Sequence, residues 1–188
     1  MSKREPLPTQ VVTDKVRMSY AHVFTPFSSD EANEKKYSVA LVFPKSNKAL
    51  VKRINAAVEA AIQKGMAKEF GGKKPANLKM PLRDGDEKEN DEEGVYSNCW
   101  YINASSKTKP KIIDEKGNPI LTEEGFYSGC YGKASINFYP FAKKGSKGVA
   151  AGLNNLLFLE DGEPLGGNTD ALADFGISRD EEDDDSDL

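Results

Sequence analysis

The sequence has few of the residues from which common metal and catalytic sites are built. It contains one histidine, His22, and two cysteines, Cys99 and Cys130. Zinc takes four protein ligands in structural sites and three in catalytic ones, mostly Cys and His, so the common zinc sites are excluded. A serine–histidine–aspartate site would need His22, which falls in the apolar row of a predicted strand. There is also no phosphate-binding glycine loop and no dinucleotide fingerprint. We therefore expect no enzymatic activity, no metal and no cofactor.

Long apolar runs are also absent, which argues against a membrane helix. No segment approaches the roughly 18 consecutive apolar residues that a membrane span requires. Residues 1–10 contain basic side chains but not the apolar stretch of a secretory signal. We therefore expect a cytoplasmic protein, whose two cysteines stay reduced and act as small, partly buried thiols.

The net charge of −4 conceals a basic body, because the acidic residues are concentrated in two segments. Residues 178–188 hold seven acidic residues and one arginine, and residues 84–93 hold seven acidic residues and one lysine, so that each segment has a charge of −6. The rest of the chain keeps 16 acidic and 24 basic residues, a net charge of +8. A body of this charge suits a polyanionic partner such as nucleic acid. The segment at 84–93 is predicted to be a solvated insert.

Apolar periodicity predicts two strands and one helix in the first 70 residues. Residues 1–10, which are polar and contain proline, are expected to be disordered. Val11–Phe24 and Lys36–Phe43 alternate apolar and polar residues as strands do. Beyond Pro44, apolar residues recur at helical spacing through about Phe70. On the first strand, the residues predicted to share the apolar face are Val12, Val16, Met18 and Tyr20.

The rest of the chain predicts strands separated by loops. Residues 71–98 lack periodicity, and a connection of that length is usually functional or disordered. Strands are predicted over Cys99–Lys107, Gly129–Phe141 and Lys147–Leu159, with a short hairpin over residues 110–121. The predicted order is therefore two strands, a helix, a long loop and four further strands.

This order predicts a mainly β chain with one helix (α+β). Its best match is an OB-fold-like antiparallel barrel of five or six strands. A generic α+β sheet covered by a helix is the alternative. We place the domain at residues 11–176 and a disordered acidic tail at residues 177–188.

Two predicted strands carry aromatic, polar and basic side chains on one face. On Gly129–Phe141 the odd positions form this face, and the even positions predicted as core are Cys130, Ala134, Ile136 and Phe138. On Cys99–Lys107 the odd positions form a second such row, while Trp100 is predicted to look inward. Bases of single-stranded nucleic acid stack on aromatic rings of this kind, and lysines neutralise phosphates. Half-buried tyrosines on an ordinary sheet are the alternative interpretation.

These two rows supply the candidate binding residues. The residues predicted to stack bases are Tyr101, Tyr131, Tyr139, Phe141 and Trp100. The residues predicted to meet phosphates are Lys107, Lys109, Lys111, Lys133, Lys143 and Lys144.

The acidic tail is a candidate for two roles. The simpler role is solubility. A flexible acidic segment tethered to a basic groove would also have a high effective concentration there. It would occupy the groove until DNA displaces it and would then be available to partner proteins. The residues concerned are Asp180, Glu181, Glu182, Asp183, Asp184, Asp185, Asp187 and Leu188.

Several segments resemble those of a known protein family. They are KKYSVALVFPKS at 35–46, KKPANLKMPLRDGDE at 73–87, YINASSKTKP at 101–110, YSGCYGKASINFYPF at 127–141, and KGVAAGLNN followed by DGEPLGG within 147–167. Together they resemble a bacteriophage and prophage family, formerly a domain of unknown function, assigned as OB-fold single-stranded DNA-binding proteins. The resemblance covers about residues 11–176.

The resemblance implies a phage protein that coats single-stranded DNA without sequence preference during replication or recombination. Its location would be the cytoplasm of an infected or lysogenic bacterium. The acidic end is similar to the tails with which other such proteins recruit polymerases or helicases, although this tail ends in Leu188 rather than in an aromatic residue. A homodimer is compatible with this reading.

Two other functions stay open at this point. One is a recombination protein that anneals complementary single strands through oligomers. The other is a protein–protein adaptor that uses the acidic tail and binds no DNA.

Overall fold

The strands and the helix follow the order expected from the sequence, with further short strands between them. The computed structural model describes residues 7–28, 30–89, 91, 93–143, 145–165 and 175–176, and the structural statements concern these residues. In chain order the elements are β1 (Gln10–Val12), β2 (Val16–Phe27), β3 (Lys36–Pro44), α1 (Lys48–Ala67), β4 (Leu82–Asp84), β5 (Cys99–Ser106), β6 (Lys111–Ile113), β7 (Tyr131–Lys143) and β8 (Ser146–Glu160).

Five of the strands close into a barrel. β2 pairs antiparallel with β3 and β7, and β3 pairs antiparallel with β5. β7 and β8 form a long antiparallel hairpin, and β8 also pairs with β5. The order β2-β3-β5-β8-β7 therefore returns to β2, which confirms the predicted mainly β, OB-fold class.

Within this mostly antiparallel barrel, β5 and β8 are the exception, because they run parallel, with Ala104 opposite Ala151. The reason is geometric. Strand directions cannot alternate all the way round a ring of five, so at least one neighbouring pair must be parallel. A fully antiparallel closed barrel needs an even number of strands.

Alternate side chains of the strands fill the interior of the barrel. On β7 and at the residue directly before it, the even positions predicted as core are buried: Cys130, Ala134, Ile136 and Phe138. Helix α1 packs mainly against β7 through a buried apolar stripe that includes Leu50, Ile54, Val58 and Ile62. At Gly65 a Cβ atom would lie 2.5 Å from the Phe70 ring and 2.7 Å from Pro140. A larger residue there would push the helix away from the sheet.

The first predicted strand is in fact two strands, which changes the exposure of its apolar row. Thr13 ends β1, and its hydroxyl accepts a hydrogen bond from the Ala134 N–H at 3.0 Å. The residues between β1 and β2 shift the alternation by one position, so Val12 is 53% exposed while Val16 is buried. Tyr20 is 54% exposed, because the register of β2 on β3 shifts between positions 19 and 22. β1 also begins at residue 10, inside the range expected to be disordered; residues 1–6 lie outside the described part.

The segment at 71–98, predicted as a loop, contributes β4 to the barrel wall. β4 pairs with β5, with Arg83 opposite Tyr101. Just before β4, the backbone of Lys79 bonds to β8, donating to the Lys147 carbonyl at 3.0 Å and accepting from the Val149 N–H at 2.9 Å. The segment therefore bridges β5 and β8. The sequence misses it because a strand of three residues is too short to show periodicity.

Part of the acidic stretch of this segment contacts the rest of the fold, while Glu87, Glu89 and Glu93 are exposed, as expected of a solvated insert. The Lys45 ammonium lies 2.6 Å from Asp84 and 2.8 Å from Asp86. Asp86 also accepts a hydrogen bond from the Asn98 N–H at 2.8 Å. The contact with Lys45 lowers the pKa of Asp84, and the contacts with Asn98 and Lys45 lower the pKa of Asp86.

Two tyrosines form a small apolar cluster on the outside of the barrel. The Asp91 carboxylate accepts hydrogen bonds from the N–H groups of Val95 and Tyr96, both at 2.9 Å. The Tyr96 and Tyr101 rings meet edge to face at 5.0 Å, and the Tyr96 hydroxyl donates to Ser19 Oγ at 2.8 Å. Burial raises the pKa of Tyr96 to about 12. This cluster fastens residues 85–98 to the barrel.

Two features are absent from the part of the chain that the structure describes. No helix in it is long and apolar enough to cross a membrane. No three or more of its His, Cys, Asp and Glu side chains are grouped so that they could hold a metal ion.

We expect Tyr96→Phe to lower the free energy of unfolding by about 1–3 kcal/mol at neutral pH, because the buried Ser19 hydroxyl loses its partner. The folded protein keeps Tyr96 protonated to about pH 12, whereas an unfolded tyrosine ionises near pH 10. The stability that comes from Tyr96 is therefore complete below pH 10 and is lost as the pH rises towards 12. The difference in the free energy of unfolding between wild type and variant should therefore decrease from pH 10 to pH 12. Urea unfolding at a series of pH values measures it. A gap that stays constant would contradict the assignment, and Tyr139→Phe on the exposed surface is the control.

Candidate nucleic-acid interface

The outward side chains of β2, β3 and β5 form a continuous surface, which we name the outer face. The inward neighbours on these strands, among them Val39, Leu41 and Ile102, belong to the core. The two central rows of the outer face are His22–Ser38–Ser105 and Ser19–Ala40–Asn103. The centre of this surface is therefore made of small or polar side chains.

A cleft of about 490 Å³ opens at one end of the outer face. It lies between the loop that joins β2 to β3 and the tip of the β7–β8 hairpin. The residues that line it are Phe27, Ser28, Asn33, Glu34, Lys36, Ser38 and Lys143. OB folds bind oligonucleotides on the central strands between these two hairpin loops, so the position of the cleft matches that use of the fold.

The aromatic wall of the cleft is a stacked pair of rings. Phe27 and His22 lie parallel, with centroids 4.2 Å apart and an interplanar angle of 14°. Phe27 is nonetheless 49% exposed, so its ring stays accessible in the cleft while His22 backs it. Burial lowers the pKa of His22, although Glu123 acts in the opposite direction. The imidazole is therefore neutral at neutral pH and supports Phe27 as an uncharged platform.

Lys36 and Lys143 place two positive charges in the cleft, and Lys107 lies at its edge. Lys107 pairs with Glu34 at 3.3 Å, and both side chains are well exposed. An exposed pair of this kind contributes little to stability. Lys109 lies over the ring of Phe24 on β2, 5.4 Å from its centroid.

The row predicted on β7 runs along the whole barrel and does not converge on the cleft. Tyr131 and Lys143 are the two ends of β7, so about 40 Å of strand separates them. The Tyr131 ring is held between cations, 5.1 Å from Lys15 Nζ and 5.6 Å from the Arg17 guanidinium carbon. The predicted residues near the hairpin tip are Tyr139, Phe141 and Lys143.

Two other predicted phosphate contacts lie on a different side of the barrel. Lys133, on β7, is opposite Leu157 of β8. Lys111, on β6, pairs with the other edge of β8 and is opposite Asn155. They approach the same part of β8, and neither lines the cleft.

The structure places two predicted stacking residues in covered positions. Tyr101 is on the outward row of β5, as predicted, but Tyr96 packs against it and leaves it 8% exposed. Trp100 faces inward and packs partly on the core, with the Lys45 ammonium 4.9 Å from its ring. Lys144 and the tail residues 177–188 lie outside the described part of the chain.

The sequence does not identify His22, Phe27 and Lys36 as site residues. The predicted strand stops at Phe24, because Pro26 indicates a loop, whereas β2 continues to Phe27. The signal that could have found Phe27 is an aromatic residue directly before a polar hairpin loop that ends in two lysines.

Comparison with known proteins relates this chain to phage proteins. The family described as "Enterobacter phage Enc34, ssDNA-binding protein" matches residues 9–187. A protein of Acyrthosiphon pisum secondary endosymbiont phage 1, designated p50, is 31% identical over 173 residues, covering 88% of this chain and 92% of that protein.

Solved structures show the same relationship. The single-stranded DNA-binding protein from bacteriophage Enc34 in complex with ssDNA is 27% identical, with a TM-score of 0.74, over 84% of this chain and 90% of that chain. Gp2.5, a single-stranded DNA binding protein encoded by bacteriophage T7, is 16% identical, with a TM-score of 0.59, over 88% and 93% of the two chains. The similarity to gp2.5 shows the fold alone.

The family match takes in all the strands of the barrel, α1 and most of the acidic tail. The chain therefore belongs to the family of the Enterobacter phage Enc34 ssDNA-binding protein.

Proposed function

We propose that this protein binds single-stranded DNA without sequence preference, and that the cleft at the end of the outer face is where binding is centred. The observation that carries the proposal is the exposed Phe27 ring, backed by His22 and flanked by Lys36 and Lys143. The family to which the chain belongs supports the choice of ligand.

In this mechanism a base stacks on the accessible face of Phe27. Stacking contributes roughly 1–3 kcal/mol per base and tolerates any sequence, since every base has a π-face. Lys36, Lys143 and Lys107 meet the phosphates on either side of the stacked base. Counterions released from the strand add a salt-dependent part to the affinity. No step in this mechanism is chemical, so the proposal assigns the chain a binding role.

Tyr139 is proposed as a further stacking residue. Its side chain is 40% exposed and lies opposite Ala150, whose small size leaves the ring uncovered. It is four residues from Lys143 on the same strand. A strand that passes the hairpin tip would meet the ring and the ammonium in succession.

The acidic tail is proposed to compete with DNA and to recruit replication proteins such as a polymerase or helicase. The chain leaves the barrel at Leu165, whose N–H donates to the Ser128 carbonyl at 2.9 Å. The 15 residues from there to Asp180 span at most about 50 Å, which is enough to bring the acidic stretch to the cleft. The proposed setting is the cytoplasm of a bacterium that carries the phage.

Phe27→Ala should weaken binding of a labelled oligothymidylate by roughly 5- to 100-fold, because about 1–3 kcal/mol of stacking is lost. Phe27→Trp should retain the affinity. Fluorescence anisotropy at fixed salt measures the effect, with thermal melting as the check on folding. Leu121→Ala, an exposed apolar residue elsewhere on the surface, is the control. Unchanged affinity of a folded Phe27→Ala variant would refute the placement of the site.

Replacing both cleft lysines, in the double variant Lys36→Met and Lys143→Met, should flatten the salt dependence of binding. Each phosphate contact on a single strand contributes roughly 0.7 to the slope of log affinity against log salt, so the slope should fall by about 1.4. Anisotropy titrations at several salt concentrations give the slope. Lys116→Met, in an exposed turn away from the cleft, should leave it unchanged. Because Lys116→Met removes one charge and the double variant removes two, a slope change in Lys116→Met half as large as in the double variant would show that only the total charge matters.

A chain that ends at Ile177 should bind single-stranded DNA more tightly than the full chain and discriminate less against duplex. The physical reason is the removal of a competing segment of charge −6. Anisotropy titrations of both chains with single-stranded and duplex DNA measure this. Equal affinities at low salt would exclude competition by the tail. Absence of DNA binding by either chain would instead favour the protein–protein adaptor.

A further inference from the structure

Tyr20 has an unusual backbone conformation in the middle of a strand. Its φ angle is +47°, in the left-handed region that residues other than glycine adopt only at a cost in free energy. It lies where the register of β2 on β3 shifts, between Ser19 and His22. The distortion turns the ring outward and leaves it 54% exposed. Strain of this kind, held in place by the surrounding strands, is a marker of functional positions.

Lys88 holds its ammonium over three aromatic rings. Its Nζ atom lies 5.1 Å from the centroid of Tyr20, 5.0 Å from that of Tyr96 and 5.8 Å from that of Tyr101. A cation at this distance from a ring face is attracted by the negative potential of the π-system. The three tyrosines and Lys88 therefore form one compact group at the far end of the outer face from the cleft.

The position of Lys88 is set by a tight turn. The turn at Gly85–Glu87 directly precedes it, and Lys45 holds that turn through Asp84 and Asp86. A Cβ atom on Gly85 would lie 2.1 Å from the Tyr96 carbonyl oxygen. The turn therefore packs directly against the backbone of Tyr96, and this contact fixes the position of Lys88.

The ammonium of Lys88 is surrounded by rings although its chain neighbours are acidic. Among the described residues, Lys88 forms no ion pair. The carboxylate of Asp91 accepts hydrogen bonds from Val95 and Tyr96. The positive charge is held beside the exposed ring of Tyr20.

The three tyrosines differ in what they can offer a ligand. Tyr96 and Tyr101 are 3% and 8% exposed, so they form the fixed wall of the group. Only Tyr20 has a ring that a base could reach. The group thus combines one open aromatic ring with one cation, which is the pair of features that single-stranded DNA needs.

This group and the cleft lie on the same strand-lined face. Lys36 in the cleft and Ala40, which lies opposite Ser19 next to Tyr20, are four positions apart along β3. That is about 13 Å of strand. Between them the outer face carries Ser38 and Ser105, whose small side chains leave room for a DNA backbone.

We propose that Tyr20 and Lys88 form a second subsite for single-stranded DNA, in which a base stacks on Tyr20 and the adjoining phosphate meets Lys88. The inference rests on the proposed function, and it adds the direction of the strand. The DNA runs along β3, from the cleft at Phe27 to the tyrosine group. The alternative is that the contact of Lys88 with the tyrosines serves only to hold residues 85–98 on the barrel.

The test uses paired variants of the full chain against oligothymidylates from about 4 to about 16 nucleotides, the range of site sizes of single OB folds. Tyr20→Gly removes the ring and accepts the positive φ. It should weaken binding of the longer oligonucleotides by roughly 5- to 100-fold and leave the shortest ones, which fill only the cleft, unchanged. Tyr20→Phe should retain the wild-type affinity at every length.

Lys88→Met keeps an unbranched side chain on the rings but removes the charge. With the longer oligonucleotides it should lower the salt slope by roughly 0.7, the value of one phosphate contact. Lys88→Arg should restore the slope, and Lys116→Met should not change it. Mapping of photocrosslinks from 5-iodouracil oligonucleotides should find a site at Tyr20 as well as at Phe27.

The outcomes separate the two proposals. If Phe27→Ala weakens binding at all lengths and Tyr20→Gly at none, the cleft is correct and the second subsite is refuted. If Tyr20→Gly lowers the melting temperature and weakens all lengths equally, the tyrosine group is only a structural contact. If neither variant weakens binding while both stay folded, the proposed function fails together with the subsite.

Discussion

The surface of this protein depends on the closure of its five-stranded barrel around one core. Closure requires β7 to pair with both β2 and β8, and the backbones come very close where they meet. At Gly132 a Cβ atom would lie 2.2 Å from the Leu157 carbonyl oxygen. Once the inward side chains are fixed by the core, the alternation of strands fixes the outward ones. The outer face is therefore a consequence of how the interior is filled.

Two departures from regular alternation decide what that face presents. The register shift in β2 turns Tyr20 outward. The segment at residues 85–98, held by Lys45 and by the hydrogen bond from Tyr96 to Ser19, covers Tyr101. As a result, accessible rings occur at the two ends of the face, at Phe27 and Tyr20, and small polar side chains lie between them. In the proposed mode of binding, a flexible polyanion would lie along β3 and stack a base on each of these rings.

The charge distribution fits the same arrangement. Three acidic residues of segment 84–93, Asp84, Asp86 and Asp91, make ion pairs or hydrogen bonds that stabilise the fold. Lys36 and Lys143 lie in the cleft, and Lys107 forms an exposed pair with Glu34 at its edge. Other basic residues lie elsewhere on the barrel, as Lys111 and Lys133 do beside β8.

Sequence periodicity by itself determined the barrel class, the helix and the buried face of β7. Cys130, Ala134, Ile136 and Phe138 are buried where alternation predicted them, because alternation is a local property of a strand. Only the tertiary structure decided which outward residues meet. Phe27 and Lys143 share a cleft although they are far apart in the chain, while Tyr131 and Lys143 of the same strand lie at opposite ends of the barrel. The physical reason is that such neighbours depend on strand order and on the register shifts within the strands, which the alternation of apolar and polar residues does not encode.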